Sequence, residues 1–188
     1  MANVNAAKGF VNPHMVGGKP YTGALRKVKK EASVAIAIGD AVKSAGSGEA
    51  VTGIATVTTA AANERILGIV AGIEYSAAAP TRMQLAAADQ DYIYIIDDPE
   101  VLFDIQEDSD ANNLAVTDIG AGFDIIYAAP SAYTNYSGTM LDSSTAATSG
   151  RTLKVLGLAQ RVGNAIGTNA VWEVQICEHE NRADITLV

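Results

Sequence analysis

YIYIIDDPEVLFDIQEDSD, residues 92 to 110, sets two apolar runs around a cluster of acids, and its reading decides the fold. Between Asp97 and Asp110 stand seven carboxylates: Asp97, Asp98, Glu100, Asp104, Glu107, Asp108 and Asp110. Tyr92 to Ile96 is apolar at every position and rich in aromatic and β-branched side chains, the composition of a strand covered on both faces. In Val101 to Gln106 the odd positions are apolar and the even ones drift polar, the period-two pattern of a half-buried strand, with Asp104 facing away from Phe103 and Ile105. Asp97-Asp98-Pro99-Glu100 separates the runs, its proline at a turn position that needs no amide donor. The expectation is a hairpin whose acids face solvent.

The same composition recurs along the chain. Short apolar runs at Val34 to Ile38, Val51 to Val57, Ile66 to Ile73, Phe123 to Tyr127, Leu153 to Val162 and Val171 to Cys177 are divided by Gly, Ser, Asp and Asn. That spacing predicts an all-β sandwich or barrel. Gly68 and Gly157 sit inside two such runs and mark bulges or close backbone approach. Residues 1 to 20 differ: Gly9, Pro13, Gly17, Gly18 and Pro20 interrupt scattered apolar side chains, so an extended N-terminal arm is expected ahead of a β body at 21 to 188.

Charge divides along the same line. Residues 1 to 30 hold Lys8, Lys19, Arg26, Lys27, Lys29 and Lys30 and no acid, giving +6, whereas the remainder has seven bases and twenty-one acids, giving −14, for a net −8. An acidic body repels nucleic acid, and the basic segment lacks the interleaved aromatics of a single-strand binder, so no nucleic-acid partner is expected. The alternating Lys27 and Lys29, with Arg26 and Lys30 beside them, suit an edge strand protected against edge-to-edge pairing. No apolar run approaches the length of a membrane span, and MANVNAAKGF lacks the apolar core of a secretory signal.

The candidate chemistry is sparse. Asp108-Ser109-Asp110-Ala111-Asn112-Asn113 opens like a calcium loop, but Asn113 and Ile119 stand where that loop needs glycine and a bidentate glutamate, so a solvated Asp/Asn turn is the expectation. Cys177 is the single cysteine, which excludes an internal disulfide. Cys177 and His179 fall on one strand face, too few ligands for structural zinc and poorly placed as a nucleophile and base. Phosphate-loop, dinucleotide, nucleophile-elbow and zinc-protease motifs do not occur. The chain therefore reads as non-enzymatic, with no cofactor. In the arm, Phe10, Val11, Met15 and Val16 have no evident place to hide, and with Lys8, His14 and Lys19 they form the expected partner-binding set. Runs apolar on both faces, such as Leu67 to Ile73, add the expectation of a homo-oligomer, a trimer foremost.

GFVNPHMVGGKPYTG near the start, ILGIVAGIEY, DDPEVLFDIQEDSD and LDSSTAATSGRTLKVLGLAQRVGNAIGTNAVWEVQICEHENR resemble a family of small structural proteins of tailed bacteriophages, the head decoration or cement proteins. The resemblance spans about residues 1 to 182 and is densest after Asp142. It implies a virion component on the outer capsid surface, made in the bacterial cytoplasm, commonly oligomeric, that binds the major capsid protein and stabilises the shell. The alternative is a host- or carbohydrate-binding head-fibre or tail component, for which Tyr92, Tyr94, Tyr133 and Tyr136 are the available aromatics.

Overall fold

The computed structural model describes residues 3–110 and 112–183. Fourteen strands and one 3-10 turn, Val116–Asp118, account for its regular structure, and the described residues include no α-helix. The all-β expectation holds, as one closed barrel joined to one large sheet.

The barrel is built from β3 (Arg26–Lys30), β5 (Ala41–Gly48), β6 (Ala55–Thr59), β7 (Gly68–Ile73) and β9 (Tyr92–Ile96), in the order β3-β6-β5-β7-β9. β3 and β6 run parallel, and β9 closes the ring on β3 with Val28 opposite Ile93. Alternation turns Val28, Val42, Val57, Val70, Ile93 and Ile95 into one aliphatic core. A short ribbon of β4 (Ile36–Ala37) and β8 (Gln84–Leu85) adds Ile36 and Leu85 to it. β3 is thus not the edge strand its lysines suggested. Lys27 and Lys29 reach outward to Glu74 and Glu49, and both lie near the Tyr92 ring. Lys30 is buried, its ammonium donating to the carbonyls of Glu31, Ala87 and Asp89 at 2.9, 3.2 and 2.7 Å.

The remaining strands are β1 (Val11–Met15), β2 (Lys19–Pro20), β10 (Val101–Gln106), β11 (Gly122–Ile126), β12 (Met140–Ala147), β13 (Leu153–Leu158) and β14 (Val171–Ile176). They form one sheet in the order β12-β11-β13-β14-β10-β1-β2. The end of β10 returns to β12 through a parallel bridge from Glu107 to Leu141 and a 3.0 Å bond from the Asp108 amide to the Leu141 carbonyl. Five strands therefore curl into an incomplete second barrel around Trp172, Phe103, Phe123, Leu153 and Val174. Asp124 is buried in this unit, held by Arg151 at 2.7 Å and by the Thr152 amide and hydroxyl.

The decisive stretch forms its two strands, but not as a hairpin. β9 pairs with β3 and β7, whereas β10 pairs with β1 and β14, so Asp97 to Glu100 is the passage from the barrel to the sheet. Each strand is hydrogen-bonded on both sides by other partners, which leaves neither an edge to offer the other. The solvated face expected for β10 is also absent, because all six of its residues are buried. Asp104 does point away from Phe103, yet its carboxylate accepts a 2.8 Å bond from Asn12 Nδ2, and Gln106 bonds Ala6 N and Asn5 Oδ1. The polar face of the strand is satisfied by the N-terminal segment rather than by water. Glu107 departs further: it is fully buried, its Oε2 accepting from Leu114 N at 3.0 Å and the Trp172 indole at 3.2 Å, and burial pushes its carboxyl above the usual range.

The two glycines singled out behave as expected. A Cβ on Gly68 would sit 2.5 Å from the Ile96 carbonyl oxygen, and the β13–β14 register shifts between Val155 and Gly157.

Candidate binding surface

The N-terminal segment is secured mainly by side-chain bonds before it enters the sheet. Asn3 Nδ2 donates to the carbonyls of Ala165 and Thr168 at 2.7 and 2.9 Å, and its Oδ1 accepts from Ala165 N at 3.0 Å. Gly9 then passes so close to Gly39 that a Cβ would lie 2.2 Å from its carbonyl oxygen, and Phe10 N donates to that oxygen at 2.9 Å. β1 continues along β10 with Val11 opposite Asp104, and the Gly17-Gly18 turn returns the chain to β2.

This course separates the expected partner-binding residues. Phe10 does find a place to hide: it is 4% exposed and meets the Phe103 ring edge to face at 5.6 Å, so it belongs to the core and not to a free arm. Met15 is half-buried against the same core. His14 is half-buried, its Nε2 3.2 Å from Glu173 and its Nδ1 2.8 Å from the Asn12 carbonyl. Burial alone would lower its pKa, but these bonds outweigh it and hold the imidazole above its ordinary value. Val16, 64% exposed, and Lys19 project from the β1–β2 turn. Lys8 and Val11 share a groove of about 410 Å³ with Val4, Ala6, Arg161 and Val162. Arg161 and Val162 were missed from sequence, since the run from Leu153 to Val162 read as one strand, whereas β13 ends at Leu158 and a turn follows.

Other candidate chemistry resolves into structure. Cys177 and His179 are both buried, and His179 Nδ1 accepts from Asn181 N at 3.0 Å. Burial, with Arg182 nearby, pushes the imidazole pKa down. Tyr92 is tied to Glu49 on the barrel wall at 2.6 Å, while Tyr133 is fully exposed on the loop before β12, so these tyrosines build no shared platform. Asp108 and Asp110 approach Asp142, and one ligand oxygen from each lies within 4.8 Å of the others. Ser143 Oγ lies 2.8 Å from Asp108 and 3.0 Å from Asp110. Asp142 was invisible to a reading of the turn because it arrives from β12.

One buried acid joins the barrel to the loop before β12. Asp40 is fully buried, its Oδ1 accepting from Ser137 Oγ at 2.5 Å and Thr139 Oγ1 at 3.1 Å, its Oδ2 from Ala37 N at 2.7 Å. None of these donors carries charge, and burial pushes the carboxyl up to about 6. Comparison with protein-family models, curated proteins and solved structures returned no match.

Proposed function

We propose that the protein is a non-enzymatic virion component that binds the outer surface of a bacteriophage capsid and stabilises the shell, with the major capsid protein as its partner. The observation that carries this reading is the surface at the sheet's N-terminal margin. There Val16 and Lys19 stand out from the β1–β2 turn, and Lys8 and Val11 open onto a groove, on an otherwise acidic molecule. Exposed apolar groups accompanied by lysines suit an acidic protein partner. The resemblance to decoration proteins supports the same reading. Assembly as a homotrimer belongs to the proposal, although Ile69, Ile93, Ile95 and Ile96 are covered within one chain and do not themselves require it.

The test is addition of the purified protein to shells that lack it. Co-sedimentation that saturates at hundreds of copies per particle, with raised heat resistance of the shell, is the expected result. Failure to sediment, or a presence of only a few tens of copies in native virions, points instead to a tail or fibre component. Light scattering reads the oligomer directly. Removing residues 2 to 20 is unsuitable for mapping the contact, because it strips β1 from β10 and Phe10 from Phe103. Val16→Asp combined with Lys19→Glu leaves those contacts in place and is expected to abolish sedimentation.

A further inference from the structure

We infer that the groove between the N-terminal segment and the turn at residues 161–163 is the seat of an extended, alternately acidic and apolar segment of the partner protein. The inference rests on the partner-binding role proposed above and names the chemistry of what is bound. Three observations converge on it.

The first concerns charge. At least seven of the thirteen lysine and arginine side chains pair with carboxylates within the described residues: Arg26, Lys27, Lys29, Lys43, Arg82, Arg151 and Arg182. In a chain of net charge −8, acids outnumber bases and a surface cation readily finds a partner. Lys8 and Arg161 meet no carboxylate among the described residues, yet they line the same groove. Among the described residues the Lys8 ammonium lies 5.3 Å from the Tyr136 ring.

The second is the apolar lining. Val162 is fully exposed and Val4 is 76% exposed, and with Val11 they line the cavity that the two cations share. Exposed valines gathered in one concavity differ from apolar residues scattered singly over a surface. The third is the rigidity of the walls. Asn3 ties its segment to Ala165 and Thr168, Gln106 holds Ala6, and Asn164 Nδ2 bonds the carbonyls of Ala159 and Val171 at 2.9 and 2.8 Å, which fixes the turn bearing Arg161. A preformed groove avoids much of the ordering cost of binding. In an extended occupant, alternate side chains point the same way, so valine or leucine can enter between the exposed valines while flanking carboxylates meet Lys8 and Arg161.

The experiment uses the full chain and a fluorescein-labelled Asp-Val-Asp-Val-Asp peptide, with Lys-Val-Lys-Val-Lys as control, read by anisotropy. Binding of the acidic peptide alone is expected, weakening about tenfold or more between about 50 and about 500 mM salt. The same or greater loss is expected in Lys8→Glu/Arg161→Glu and in the neutral Lys8→Met/Arg161→Met variant, both folded by circular dichroism, with Lys43→Ala, which removes a cation from the barrel surface, unaffected. Absence of binding, equal binding of the basic peptide, or unchanged affinity in both double variants overturns the inference. Shells separate it from the broader proposal. If wild type decorates shells and the double variants do so equally well, the groove is not the contact; if wild type fails on shells, the broader proposal falls while the peptide result still decides the groove.

Discussion

The closed barrel and the curled sheet solve the same problem with different materials. The barrel core holds Val, Ile and Leu side chains only, and its buried carboxylate, Asp40, lies where β5 begins. The sheet's core needs Trp172, Phe10, Phe103 and Phe123, and it buries Asp104, Glu107 and Asp124 as well. Closure explains the difference. A ring of five strands is narrow enough for branched aliphatics to fill and has no edge to satisfy. The sheet closes through the bridge of Glu107 to Leu141 and the Asp108 amide bond beside it, and it leaves strand ends and polar faces that side chains must satisfy. The unit with margins is also the one that presents the candidate binding surface.

The sharpest way to break this comparison is to empty each core in turn. Trp172→Ala removes the largest side chain of the sheet's core and takes the indole donor from Glu107, so it is expected to cost about 3–5 kcal/mol in denaturant unfolding. Ile93→Val in the barrel removes one methylene and is expected to cost about 0.5–1.5 kcal/mol. A loss for Trp172→Ala no larger than that for Ile93→Val would show that the indole and its bond to Glu107 carry little of the sheet's stability.

Arg151→Met tests the sheet's dependence on buried charge. It leaves the Asp124 carboxylate in the interior with only the Thr152 amide and hydroxyl, and a loss of about 3–5 kcal/mol is expected. Asp124→Asn added to Arg151→Met should recover part of it. A double variant no better than the single one would show that lost packing, not the stranded charge, sets the cost.

Asp40 gives the next effect, on the barrel side. Its folded pKa lies above the unfolded value, at about 6 against 3.8, so the folded state holds the proton more tightly. Its contribution is complete below about pH 4 and is lost as pH rises toward about 6, a decline of about 3 kcal/mol at 1.36 kcal/mol per pH unit. Asp40→Asn should flatten that part of the stability profile, whatever it does to absolute stability. An unchanged slope in Asp40→Asn would assign the decline to Glu107, whose carboxyl burial also raises.

What the sequence made legible follows from which physical signals are local. Strand identity was readable for Tyr92 to Ile96 and Val101 to Gln106 because period and β-branching are properties of neighbouring residues. Pairing was not, because Asp97-Asp98-Pro99-Glu100 serves equally as a hairpin turn or as a passage between two units. Asp104 read as solvated because its partner Asn12 lies 92 residues away, and the same distance problem hid Asp142 from the turn at Asp108. The binding surface was half visible: Lys8, Val11, Val16 and Lys19 were named from the arm, but Arg161 and Val162 come from the far end of the chain. Phe10 was misjudged because an apolar side chain among Gly and Pro gives no sign of the Phe103 ring that covers it.

The smallest expected effect sharpens the comparison from the outside of the barrel. Lys43 reaches Glu64 across the surface, both side chains about one third exposed, and Glu64 also accepts a 2.8 Å bond from Ala61 N. The bond from Lys43 first, with the Ala61 amide assisting, holds the Glu64 carboxyl below its usual value against the opposing pull of burial. A lowered carboxylate pKa contributes stability above the unfolded value and loses it as pH falls, the reverse of Asp40. Lys43→Ala is therefore expected to cost less than about 1 kcal/mol near neutral pH, and less again at high salt or at acid pH, because half-exposed pairs are screened and give back much of their attraction in lost side-chain freedom. The contrast with Arg151 lies in the acid left behind: Asp124 is 1% exposed, Glu64 33%. A cost for Lys43→Ala approaching that of Arg151→Met, and insensitive to salt, would show that the barrel depends on its outer charges as the sheet depends on its inner ones.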